Sequence, residues 1–182
     1  MIRPLNIRPA RTTDADLIAA VYVEAWRTAY PGLVPNGVLV QMSQAVQARE
    51  WTVALSRRRL HDTVMIAEEA ATVVGFGSCG ESRDRTLPHA GEIYTLYVQP
   101  EHHERGIGRA LLFCLFDALT GRGLNSAVVW VLSGNPARFF YEAMGGRKVA
   151  ERTQKLWNKQ MRQTAYGWDD LRIVARRRIA PD

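Results

Sequence analysis

EIYTLYVQPEHHERGIGRALL, residues Glu92 to Leu112, is the stretch whose reading decides the fold. Glu92 to Val98 is rich in β-branched and aromatic residues and reads as a strand. It is closed by Pro100, which can neither continue a helix nor donate to a ladder. From Gly106-Ile107-Gly108 onward, Ile107, Ala110, Leu111, Leu112, Leu115 and Leu119 recur every three or four residues, the period of a helix. A strand, a polar turn and a glycine-rich helix start direct unpaired backbone N–H groups outward, where the helix dipole adds to their pull on anions. Glycine at 106 and 108 lets an oxygen approach the backbone without a Cβ in the way. Arg105 and Arg109 flank the turn as charge-assisted donors to phosphate oxygens. The segment predicts a phosphate cradle.

Two familiar phosphate loops do not fit it. The nucleoside-triphosphate loop needs Gly-Lys followed by Ser or Thr, and the chain has no Gly-Lys; the dinucleotide fingerprint needs a third glycine where Leu111 stands. The segment instead resembles the acyl-CoA-binding motif of the GNAT N-acetyltransferase superfamily, [RQ]-x-x-G-x-[GA], which follows a strand of the type L-Y-V-x-P. Here the motif falls on His103-Glu104-Arg105-Gly106-Ile107-Gly108. His103 replaces the usual Arg or Gln, and Glu104 stands where glycine is common and brings a like charge to the phosphates. The resemblance implies cofactor contacts from residues 103–109 and from the backbone of Leu96, Tyr97 and Val98. In that family the strand splays from its neighbour, and the pantetheine arm inserts there like an extra strand.

Asn135 to Gly146, NPARFFYEAMGG, resembles the same family's N-x-x-A-x-x-F-Y-E-x-x-G helix, one residue shorter between Asn135 and Tyr141. Acetyl transfer from a thioester to an amine needs a neutral amine, a stabilised oxyanion and a proton for the departing thiolate. A phenol, with a pKa of about 10, carries that proton at neutral pH. The resemblance makes Tyr141 the general acid; the plainer reading is a core tyrosine on an amphipathic helix. Glu92 shares an alternating strand face with Tyr94, Leu96 and Val98 if no bulge intervenes, and by the resemblance is the base that deprotonates the amine. A solvated strand-end glutamate fits it as well. Asn135 suits either a contact to the cofactor arm or a turn and helix cap.

Asp14 is the expected N-cap of a helix over Ala15 to Tyr30, stopped by Pro31-Gly32. Trp26 and Tyr30, four apart, lie on one face near its end, and PGLVP follows. The resemblance makes Trp26, Tyr30 and Leu33 candidates for the acceptor wall, against the alternative that they pack the helix on the sheet. Val38 to Arg59 reads as a short and a longer helix, with Arg57-Arg58-Arg59 complementing the dipole at its end. Thr63 to Glu69 and Val73 to Ser82 read as a hairpin around Ala70-Ala71. Ala127 to Leu132 reads as a buried strand, Ala137 to Met144 as a helix, and Lys148 to Trp168 as two strands turning near Asn158.

The chain has 182 residues, 47% of them hydrophobic and 23% charged, which suits one soluble domain over 1–182. No apolar run is long enough for a membrane span, and MIRPLNIRPA lacks the apolar core of a signal peptide, so a cytoplasmic protein is expected. Cys79 and Cys114 show no metal-ligand spacing and read as buried reduced thiols; no metal site is expected. Of a formal charge of +6, much sits on Arg172, Arg176, Arg177 and Arg178, read as a frayed basic tail from about residue 172. Aromatic and basic residues do not interleave as in a nucleic-acid-binding sheet, so nucleic acid is an unlikely partner.

The sequence thus predicts an α/β (α+β) domain with the GNAT fold, in which a mixed, mostly antiparallel sheet with splayed parallel strands is flanked by helices. The expected partners are acetyl-CoA and an amine, acetylated by direct attack in a ternary complex, and a homodimer is compatible with this reading. The rivals are a non-catalytic acyl-CoA-binding regulator and a basic nucleic-acid binder.

Overall fold

The computed structural model describes residues 4–57 and 62–177. β1 (Leu5–Pro9), β2 (Thr63–Glu69), β3 (Thr72–Glu81) and β4 (Gly91–Val98) pair antiparallel in turn. β4 then runs parallel to β5 (Ala127–Leu132), and β7 (Lys159–Trp168) lies antiparallel between β5 and β6 (Arg147–Leu156). The result is one seven-stranded mixed sheet with a single parallel pair at its centre. Both long hairpins close with two residues in the left-handed region, Ala70-Ala71 and Trp157-Asn158. That turn matches the right-handed twist of the flanking strands.

Helices cover both faces. α1 (Ala15–Ala29) and α3 (Gln44–Ser56) pack Ile18, Val21 and Leu55 on Ile66 and Phe76. α2 (Asn36–Val40) connects them. On the opposite face α4 (Ile107–Thr120) buries Leu111, Leu112, Leu115, Phe116 and Leu119. It can approach the sheet closely because β3 carries Gly77, where a Cβ would stand 2.7 Å from Leu115 Cδ1. α5 (Ala137–Ala143) joins that core through Tyr141.

Two expectations change here. Asp14 is the N-cap residue of α1, as expected, but its carboxylate does not cap: it accepts the Arg11 N–H at 2.7 Å and binds Arg8 through the two terminal guanidinium nitrogens at 2.8 and 2.9 Å, leaving the first amides of α1 without a side-chain cap. A bidentate guanidinium outcompetes a single helix amide for the carboxylate. Those bonds, Arg8 foremost, hold the Asp14 carboxyl below its ordinary value. Its contribution is therefore complete above the unfolded value of about 3.9 and is lost as pH falls through the lower folded value. Asp14→Ala is expected to cost about 1–3 kcal/mol in urea unfolding at pH 7, and clearly less at pH 3.

The C-terminal segment from Leu171 to Arg177 is a helix, α6, rather than a frayed tail. Leu171 is fully buried and Val174 packs on the α4 core, while Arg172 pairs with Asp170 at 2.9 Å. Two apolar residues three apart suffice to dock a short helix. Arg178 lies outside the described residues, as do Arg58 and Arg59; α3 ends at Ser56 with Arg57 at its C-cap. The two cysteines form no disulfide with each other; Cys79 is buried and Cys114 half-buried. Burial pushes the Cys79 thiol up to about 12, so it is inert at neutral pH. Among the described residues no helix is long and apolar enough to cross a membrane, and no group of side chains could hold a metal ion.

Candidate active site

The parallel pair comes apart early. β4 and β5 are in register only at Gly91↔Ala127, Glu92↔Val128 and Ile93↔Val129, and beyond these residues the strands diverge. Backbone groups of Tyr94 to Val98 on the β5 side are therefore released from the ladder, while the other edge of β4 stays paired with β3. A cavity of about 830 Å³ opens in the gap. At one end it is lined by His102, His103, Glu104, Gly106, Gly108 and Arg109; in the middle by β4, Asn135, Phe140 and Tyr141; at the other end by Trp26, Tyr30, Tyr94, Trp130, Gln163 and Trp157.

The glycine end has the geometry of an anion site. Gly106 is the N-cap of α4 at φ 77°, with no side-chain cap. A Cβ built there meets nothing within 4 Å, so the backbone faces open space. The helix bond from Ala110 N to Gly106 O is the first of its ladder. The amides of Ile107, Gly108 and Arg109 thus have no intrahelical acceptor, and the dipole adds to their pull on an anion. A diphosphate fits that donor set.

The flanking side chains divide. Arg109 lines the cavity, its guanidinium 5.7 Å from the Phe113 ring. Arg105 does not: it binds the buried Glu69 at 3.0 Å and His102 Nδ1 at 2.9 Å, tying the turn to the end of β2. A desolvated carboxylate is a stronger partner than open solvent, so this arginine braces the cradle instead of facing it. His103 lines the cavity with its ring anchored at Nε2, 3.0 Å from the Val98 carbonyl. A carbonyl only accepts, so Nε2 carries the hydrogen there.

Glu92 does not keep the face that simple alternation gives it. Ser78 pairs with Thr95 and Cys79 with Ile93, so Tyr94 is an extra residue in β4, a bulge. The bulge reverses the alternation: Ile93 and Leu96 both pack on the α4 core, so Glu92 is not on the face of Leu96 and Val98. Its side chain is 2% exposed and held by Arg83, from Nη2 to Oε1 at 2.5 Å and from the backbone N to Oε2 at 2.9 Å. Glu92 does not line the cavity, and it anchors the 82–90 loop across the sheet end.

Tyr141, in contrast, is brought to the middle of the cavity from α5. It is 5% exposed, and burial, with the neighbouring Tyr30, raises its phenol well above the ordinary value. Asn135 makes the turn: its Oδ1 accepts the Ala137 N–H at 2.9 Å at the start of α5, and the residue also lines the cavity.

Trp26 and Tyr30 stack at 4.3 Å between centroids, with Trp26 Nε1 donating to Tyr97 Oη at 3.0 Å. Leu33 lies outside the lining; its Cδ2 packs against Gly134, where a Cβ would stand 2.8 Å away, so it supports the turn before α5. Trp157, Trp130, Tyr94 and Gln163 complete the aromatic end and were not singled out in the sequence. Trp157 reaches Trp26 edge-on at 5.9 Å from a left-handed turn position, which folds the β6–β7 hairpin over α1.

Residues 21–146 match the Acetyltransferase (GNAT) family. The chain belongs to that family. It is 31% identical over 167 residues to an uncharacterised N-acetyltransferase, YuaI, of Bacillus subtilis, covering 92% of this chain and 94% of that one. It is 29% identical over 152 residues to the L-amino acid N-acyltransferase MnaT of Escherichia coli, covering 82% and 84%. Among solved structures, YncA of Salmonella typhimurium with its cofactor acetyl-CoA superposes with a TM-score of 0.69 at 22% identity, over 92% of this chain and 94% of that one. PaiA of Thermoplasma acidophilum, in complex with coenzyme A, gives 0.64 at 18%, over 88% and 98%. This GNAT enzyme is an acyl-CoA-dependent N-acetyltransferase.

Proposed function

We propose that this enzyme acetylates a compact primary amine by direct attack in a ternary complex, with α4 holding the diphosphate of acetyl-CoA and Tyr141 acting as the general acid. The observation that carries it is one continuous cavity running from the uncapped amides of α4, through the gap between β4 and β5, to Tyr141 and an aromatic pocket. Acetyl-CoA supplies an activated thioester. The released backbone groups of Leu96, Tyr97 and Val98 receive the pantetheine arm and steady the thioester carbonyl. The amine nitrogen forms the new C–N bond, the C–S bond breaks, and Tyr141 gives its proton to the sulfur.

Glu104, at the opposite end, is the only carboxylate among the described lining residues, so the acceptor end has none to serve as base. The amine therefore attacks in its free form; its nitrogen gives up one proton to water as the amide forms, and the Tyr141 phenolate takes one back from water. Trp26, Tyr30 and Trp157 supply a wall for an apolar body, in keeping with a relative named for L-amino acids. Two cysteines that form no disulfide accord with a cytoplasmic setting.

The test is release of free CoA with a panel of primary amines, followed against pH. Small amines with apolar bodies are expected to turn over, with kcat/KM rising along the ionisation of the amine itself. Because the Tyr141 phenol is raised, no falling limb is expected up to about pH 10. Thiol release no faster than hydrolysis with every amine would overturn the function, and a falling limb below about pH 9 would overturn the acid.

A further inference from the structure

Glu104 occupies a position that its residue type makes costly. It sits at φ 58°, two residues before Gly106 at φ 77°, in a region that glycine enters freely and side-chain-bearing residues rarely do. A strained residue beside a binding site points to a role there. Its side chain is exposed, and the residue lines the cavity at the cradle end. Among the described residues no cation forms an ion pair with it: Arg105 is committed to Glu69, and Arg109 lies over Phe113. Without an ion pair of its own, the carboxylate adds a negative charge to the end of the cavity that holds the α4 amides.

We propose that Glu104 sets the affinity of the enzyme for acetyl-CoA and for the product CoA, holding both down by placing its carboxylate against the diphosphate. This rests on the cradle proposed above. The donor and the product carry the same diphosphate, so both are weakened alike, and the spent cofactor is released instead of accumulating on the enzyme.

Calorimetric titration of CoA into Glu104→Gln tests it. At an ionic strength of about 20 mM the variant is expected to bind CoA roughly three- to tenfold more tightly than wild type, and the gain is expected to shrink to within about twofold at 1 M salt. Product inhibition by CoA should strengthen by the same factor. The KM for acetylpantetheine, which lacks the diphosphate, should not change. Glu104→Gly should show the same tightening together with a higher Tm, because glycine also relieves the backbone. Unchanged or weaker CoA binding in Glu104→Gln would overturn the proposal, as would a gain that ignores salt or extends to acetylpantetheine. Failure of the cradle itself is read separately, from Gly106→Val leaving CoA affinity intact.

Discussion

Tyr141→Phe is expected to lower kcat by about 10²- to 10³-fold while the Kd for CoA stays within about twofold of wild type. The substitution removes one oxygen and its proton and keeps the ring, so the contacts of Tyr141 with Phe140 and Trp168 survive, at centroid separations of 5.3 and 6.2 Å. Stability should barely move. The chemistry loses its proton source: a thiolate then departs unprotonated or borrows from water, which the apolar surroundings of residue 141 keep scarce. Burial has already raised this phenol, so it stays protonated in the free enzyme at any working pH. Steady-state kinetics beside calorimetry with CoA separates the two quantities. Turnover equal to wild type would remove Tyr141 from the mechanism, and a parallel loss of CoA affinity would make it a binding residue.

Gly106→Val is expected to weaken CoA by at least about tenfold, roughly 1.4 kcal/mol. Two effects add. At φ 77° an L-residue costs about 1–2 kcal/mol, and a β-branched one fares worse, so the turn that aims the α4 amides is distorted. The new Cβ meets no protein atom within 4 Å, so it projects into the space reserved for the ligand. The same openness predicts that the variant folds. Gly77 makes the contrast: a Cβ there collides with Leu115 in the core, so Gly77→Val should lower Tm severely. Calorimetry with CoA and thermal melts of both variants check the pair. A Gly106→Val protein that binds CoA as wild type would show that the turn is not the grip.

The fold was legible where the residue pattern is local. The run from Glu92 to Val98 and the three-and-four spacing from Ile107 to Leu119 became β4 and α4 because each buries one continuous apolar face. The parallel pair with its gap came from the family resemblance, and the divergence after Ile93 and Val129 bears it out. Long-range partners were illegible. Nothing near Arg105 in sequence announces Glu69, and nothing near Glu92 announces that Arg83 will take up both its oxygens.

The bulge at Tyr94 had no signal either, because β4 keeps its β-branched and aromatic composition straight through it, yet that one extra residue takes Glu92 off the face of Leu96 and Val98. The acceptor end suffered most. Trp157 and Gln163 come from a hairpin whose path over α1 is set by tertiary packing, and a tryptophan in a tight turn reads as an exposed loop residue until Trp26 is seen beside it. The apolar pair Leu171 and Val174 was the available sign of α6, obscured by the arginines that follow.

The mechanism proposed for this enzyme stands on backbone amides at the start of α4 that bind the diphosphate of coenzyme A. A crystal structure of the complex with CoA decides it. Diphosphate oxygens are expected about 3 Å from the amide nitrogens of Ile107, Gly108 and Arg109, with the arm lying along Leu96 to Val98 toward Tyr141. A diphosphate held elsewhere by side chains, with those amides left to water, would overturn the mechanism.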